Sequence, residues 1–157
     1  MRRYFAYGAN IDPDRMSARV KGVRGLGPGH LDGFRLEFTL RDRDWGGGVA
    51  NIRPEPGGRV WGMLWLASDK AFSVLETYQG DQSSWRREPV QVQGVDGPVD
   101  AFTFRVDRIA NFVRPTALYL SHLRRAMKKQ DFPNEAFEAL IQAERAGPTQ
   151  TGPSIVS

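Results

Sequence analysis

Three short stretches of this 157-residue chain hold residue types that could do chemistry. In Tyr7-Gly8-Ala9-Asn10-Ile11 a glycine follows a β-prone aromatic run. Glycine at a strand end lets successive backbone N–H groups converge into a nest that suits a carboxylate, and a helix starting just beyond adds its positive end. The same residues also suit a plain strand-to-helix turn in which Gly8 supplies only backbone freedom. In Leu75-Glu76-Thr77-Tyr78-Gln79-Gly80, Glu76 and Gln79 are three apart and share a helix face. The last turn before a glycine projects toward a sheet edge, where pockets form; read alone, the stretch is better taken as a helix C-terminus with exposed polar side chains. Asp42-Arg43-Asp44-Trp45-Gly46-Gly47-Gly48 sets two carboxylates beside glycines. That suggests metal or acid/base work, but the spacing matches no EF-hand or zinc motif, and the stretch reads as a loop.

Composition narrows the classes. The chain has no cysteine, which removes disulfides and thiolate metal sites, and only His30 and His122, too few for a histidine-rich metal cluster. Hydrophobic content of 40% with 25% charged residues is that of a globular domain. No apolar run approaches the roughly 20 residues that span a bilayer, and the N-terminus lacks an apolar signal core, so a cytoplasmic protein without membrane contact is expected. Net charge is +4. The arginines are scattered among acids; the denser Arg124-Arg125 and Lys128-Lys129 patch has no interleaved aromatics and reads as a solvated helix face, not a nucleic-acid footprint.

The elements that must position these residues follow from periodicity and punctuation. Arg3–Tyr7 reads as a strand, and Asp12-Pro13-Asp14 opens a short helix through Arg19. The glycine-rich stretch 22–33 reads as a connection to an alternating strand, Phe34–Leu40, followed by a loop over 41–48. Val49–Arg53 and Val60–Leu66, separated by Pro54-Glu55-Pro56-Gly57-Gly58, read as a hairpin. Val60–Leu66 is apolar on both faces, as in a central strand or a barrel wall. Ser68 or Asp69 caps a helix presenting Phe72 and Leu75. Strands follow at Arg87–Gln93 and Pro98–Val106, then helices opened by Pro115 and by Pro133-Asn134, the latter presenting Phe137, Leu140 and Ile141. The order favours a single α+β domain over 1–145 with a mixed or closed sheet, ahead of a flexible Gly/Pro-rich tail, 146–157.

Four collinear stretches resemble the γ-glutamylcyclotransferase (AIG2-like) family. YFAYGANI is similar to the family's YFAYGSNL, and GGGVANIRPEPGGRVWGMLWL to its glycine loop and V-W-G strand. LETYQG, then Trp85-Arg86 and Val90-Gln91-Val92, resembles L-D-x-x-E-G and the strand after it. Pro115-Thr116-Ala117-Leu118-Tyr119 with Phe132-Pro133 resembles the P-S-x-x-Y helix and a later G-L-P turn. The resemblance implies a small mixed β-barrel flanked by helices, with a pocket at one mouth. It also implies conversion of a γ-glutamyl amide into 5-oxoproline and an amine or amino acid, with no metal or cofactor. The partner would be that small substrate, the protein a monomer or homodimer. Backbone amides of Gly8, Ala9, Asn10 and Ile11 would grip the γ-glutamyl unit. Tyr7 would wall the pocket, and Tyr119 would bond the substrate. Trp85 stands where the family has tyrosine and offers only an N–H donor.

The family's catalytic glutamate corresponds to Gln79. A carboxylate shuttles a proton between the attacking amine and the leaving nitrogen, and a neutral amide does not, a loss of about 10²–10⁴-fold in rate. Three readings stand open at position 79. The amide is an inactivating Glu→Gln substitution; or the chain is a divergent or purely binding member of the family; or another carboxylate, such as Glu76 or Glu88, moves the proton.

Overall fold

The computed structural model describes residues 1–78 and 85–146. Gln79, Gly80 and the tail beyond Ala146 lie outside the described residues. Among those described, no helix is long and apolar enough to cross a membrane. The elements in chain order are β1 (Arg2–Ala6), a 3-10 turn (Ala9–Ile11), α1 (Pro13–Arg19), β2 (Val23–Asp42), β3 (Gly47–Ala67) and α2 (Asp69–Thr77). There follow β4 (Trp85–Gly94), β5 (Gly97–Val106), α3 (Ala117–Lys129), a second 3-10 turn (Asn134–Phe137) and α4 (Glu138–Arg145).

The five strands close into a barrel in the order β1-β3-β2-β4-β5. Closure removes the exposed strand edges that an open sheet would present. It is mixed, as expected: β1 and β5 run parallel through Tyr4 and Phe102, and every other pairing is antiparallel. With partners on both sides, β1 buries Tyr4, Phe5 and Ala6 in succession, the run of apolar residues typical of a strand covered on both faces.

Two expectations are corrected. The stretch 22–33 is not a connection; from Val23 onward it is the first half of β2, paired with β3 from Val23 to Asp32. Its glycines answer a packing demand. β2 meets β4 at His30 and Gln93, and a Cβ on Gly29 would lie 2.9 Å from the Gln93 carbonyl. The supposed hairpin is also absent. Val49–Arg53 and Val60–Leu66 belong to the single strand β3 and both pair with β2. Pro54 partners Phe34 and Arg59 partners Asp32, so residues 55–58 bulge outward opposite Gly33 alone. The turn chemistry of 54–58 thus bends a strand instead of ending one. β3 lies between β1 and β2, which accounts for its doubly apolar Val60–Leu66 segment.

Caps fix the helices where their sequences place them. The Asp12 carboxylate accepts from the Asp14 amide at 3.1 Å, Ser68 Oγ from Ala71, and Thr116 Oγ1 from Tyr119. The core runs continuously from the strands (Phe5, Ile52, Val92) to α3 and α4 (Leu120, Leu123, Leu140). On the last two turns of chain, Ala136, Leu140 and Ala143 are the buried positions, while Phe137 packs at the margin. Ala146 is buried, and its carbonyl accepts from Arg114 Nη1 at 2.6 Å.

Candidate active site

A cavity of about 330 Å³ opens where the C-terminal end of β1, the Gly8 loop, the β2–β3 turn, α1 and α3 meet. It gathers most of the residues singled out in the sequence: Tyr7, Gly8, Ala9, Asn10, Trp85 and Tyr119 all line it. Ile11 does not; its side chain is in the core, and its amide donates to the Gly8 carbonyl at 3.0 Å to close the 3-10 turn. The amides of Gly8, Ala9 and Asn10 carry no main-chain hydrogen bond among the described residues. Three successive N–H groups without such a partner are what an anion nest requires.

The Gly8 loop is held from both sides. Asn10 Nδ2 donates to the Tyr4 hydroxyl at 3.1 Å, Arg15 Nε donates to Asn10 Oδ1 at 3.3 Å, and Trp65 Nε1 donates to the Asn10 carbonyl at 3.0 Å. With side chain and carbonyl both engaged, the Asn10 peptide has a fixed orientation. Tyr7 donates to the Phe104 carbonyl at 2.6 Å, tying the loop to β5. A side chain on Gly8 would crowd the Tyr119 hydroxyl, 3.3 Å from the position of its Cβ.

Tyr119 is fully buried on α3. The Ala50 amide donates to its hydroxyl oxygen at 3.0 Å, so its own proton is available to an acceptor in the cavity. Its ring stands edge-on to Trp45, centroids 5.0 Å apart, and to Phe38 at 6.4 Å. Burial pushes the Tyr119 hydroxyl well above its ordinary pKa and raises Tyr4 and Tyr7 too, so all three remain neutral donors.

Sequence reasoning missed Arg15 and Arg19, which add positive charge to the cavity wall. Their i, i+4 spacing sets them on one face of α1, while Met16 turns into the core. The Arg15 guanidinium lies 5.4 Å from the Trp45 ring and that of Arg19 4.5 Å from the Tyr78 ring. Burial lowers the Arg15 pKa, opposed by Asp42 and Asp12 nearby. Asp42 and Asp44, which read as a loop, both line the cavity. Glu76 and Glu88 do not: Glu76 faces Arg87 at 3.5 Å on the surface, and Glu88 pairs with Arg105 at 2.8 Å. On the basic helix, Arg124 pairs with Glu144 and Lys129 with Asp14.

Comparison with known proteins bears on the family and the fold. The family described as gamma-glutamyl cyclotransferase, AIG2-like, matches residues 4–122. The gamma-glutamylcyclotransferase of Bos taurus is 28% identical over 147 residues, covering 90% of this chain and 78% of the bovine protein. That of Homo sapiens is 31% identical over 84 residues, which span 51% of this chain and 45% of the human protein. Among solved structures, a gamma-glutamyl cyclotransferase superposes with a TM-score of 0.81 at 24% identity, over 94% of this chain and 88% of the other. YkqA from Bacillus subtilis does so with a TM-score of 0.74 at 26% identity, over 90% of this chain and 53% of that longer one. The barrel, the collinear motifs and the extent of the match place this chain in the γ-glutamylcyclotransferase, AIG2-like family.

Proposed function

We propose that the cavity binds a γ-glutamyl amide and closes its glutamyl part into 5-oxoproline, releasing an amine or amino acid. The observation that carries this reading is that one cavity is lined both by Gly8, Ala9 and Asn10, whose amides have no main-chain partner among the described residues, and by Tyr119, whose hydroxyl oxygen accepts the Ala50 amide and keeps its proton to donate. The amides and the Arg15 guanidinium suit the substrate's α-carboxylate. Tyr119 suits the γ-carbonyl oxygen, where negative charge grows as the ring closes. The reaction is intramolecular: the α-amine attacks the γ-carbonyl carbon and closes a five-membered ring. Holding the two together in a near-attack arrangement contributes about 7–11 kcal/mol. Tyr7 and Trp85 wall the site and exclude water. In sequence, Gln79 stands where the family motif has its general acid/base glutamate, and an amide exchanges no proton.

The test incubates this chain and Gln79→Glu with a panel of γ-glutamyl amides, follows 5-oxoproline, and measures binding by calorimetry. Turnover by either protein is the expected result. Absence of both turnover and binding in the two proteins refutes the reading. A second reading, a binding module, is favoured specifically by the amide at position 79. It requires calorimetric binding with no 5-oxoproline from either protein.

A further inference from the structure

We propose that Asp42 is the general base of this chain: its carboxylate, at the end of β2, takes the proton from the substrate's α-ammonium that the amide of Gln79 does not accept. This rests on the cyclotransferase reading and identifies which residue completes it. Ring closure demands a proton acceptor, because an ammonium has no lone pair with which to attack a carbonyl. Among the described residues, Asp42 and Asp44 are the carboxylates that line the cavity, whereas Glu76 and Glu88 are engaged with arginines outside it.

Of the two, Asp42 is the one held in place. Its Oδ1 accepts the Trp45 amide at 3.0 Å, and its carbonyl accepts the Gly46 amide at 2.9 Å, so the turn fixes the side chain. Oδ2 has no hydrogen-bond partner among the described residues and is left to a ligand. Asp44 is exposed and makes no such bond. Asp42 is also near the groups that hold the substrate: its charge is felt by the Tyr119 hydroxyl and by the Arg15 guanidinium. Among the described residues, the titratable and charged groups that share the cavity with it are Arg15 and Arg19 from α1, Tyr119 from α3, Tyr4 and Tyr7 from β1 and the loop after it, Tyr78 after α2, and Asp44 on its own turn.

The proton balance closes without a co-reactant. The α-ammonium gives one proton to Asp42, and the free amine forms a C–N bond to the carbon of the γ-carbonyl group. The nitrogen of the tetrahedral intermediate then passes its second excess proton to the departing nitrogen as the original amide bond breaks. The released amine takes the proton held by Asp42 and leaves as an ammonium. Asp42 returns to the carboxylate.

The experiment compares kcat/KM for 5-oxoproline release by the chain as it stands, Asp42→Asn, Glu76→Gln, Gln79→Glu and the double variant Asp42→Asn with Gln79→Glu. Asparagine keeps the oxygen that accepts the Trp45 amide, so the turn is retained; circular dichroism and calorimetric substrate binding check that it is. The chain as it stands is expected to turn over and Glu76→Gln to match it. Asp42→Asn should fall by about 10²–10⁴-fold with binding preserved. The acid limb of its pH profile should disappear, and the double variant should recover. An Asp42→Asn rate within about twofold of the unsubstituted chain overturns the proposal. So does a chain that turns over only as Gln79→Glu, an outcome that leaves the cyclotransferase reading intact. If no variant binds or converts a γ-glutamyl amide, the parent reading fails with it.

Discussion

Tyr119→Phe isolates one oxygen atom. Phenylalanine keeps the ring and therefore its edge contacts with Trp45 and Phe38. What disappears is the acceptor of the buried Ala50 amide, held at 3.0 Å across 69 residues of chain. A buried N–H left without a partner costs about 1–3 kcal/mol. Ala50 also lines the cavity, so water entering there can take the bond, which places the expected loss toward the lower end. For a chain of this length each kcal/mol moves Tm by about 2–4 °C, so a drop of about 2–12 °C is expected by calorimetry. A second effect separates from the first. The same hydroxyl donates to the γ-carbonyl oxygen in the proposed reaction, and loss of one such donor lowers kcat by about 10²–10³-fold. Measured well below the melting transition, kcat should fall by that factor while the ligand still binds. An unchanged Tm would mean that Ala50 is not satisfied by Tyr119. An unchanged kcat would remove the hydroxyl from the mechanism.

Thr116→Ala removes the cap of α3 and the bond from Thr116 Oγ1 to the Trp45 carbonyl at 3.1 Å, and should cost about 1 kcal/mol in urea denaturation, more if the β2–β3 turn loosens. Gly62→Ala places a Cβ 2.5 Å from the Ala6 carbonyl and 2.6 Å from the Phe5 ring where β3 crosses β1; the same measurement should show a loss of about 1–3 kcal/mol. Alkaline pH should also destabilise the fold. Burial raises the folded pKa of Tyr4, Tyr7 and Tyr119 above the unfolded value of about 10, so these groups bind more protons folded than unfolded in that range. Their contribution is complete below about pH 10 and is lost as pH rises through the folded values. Denaturation midpoints should therefore fall above pH 10, with tyrosinate absorbance from these three appearing as the protein unfolds. Early tyrosinate absorbance from Tyr119 in the folded protein would show that its hydroxyl is solvated.

Much of this protein is legible in its sequence because the signals are local. Asp12-Pro13-Asp14, Ser68 and Thr116 cap helices through their nearest neighbours, and alternation marks β4 and β5 whatever they pack against. The collinear motifs carried the Gly8 loop, Tyr119 and the family. Long-range pairing was not legible. Pro54-Glu55-Pro56-Gly57-Gly58 has the composition of a hairpin turn, and only β2 running alongside on both sides makes it a bulge. The glycines of 22–33 look like a linker until β4 is seen lying against Gly29. The site divides in the same way. Type and spacing leave an anion nest and a plain turn both open at Gly8, and nothing local shows that the Ile11 amide is spent on the Gly8 carbonyl. Nor could spacing bring Asp42, Arg15 and Tyr119 to one cavity, since their separation along the chain carries no information about the closure of a barrel. Sequence chose the residue types and the local turns; barrel closure decided which of them face one another.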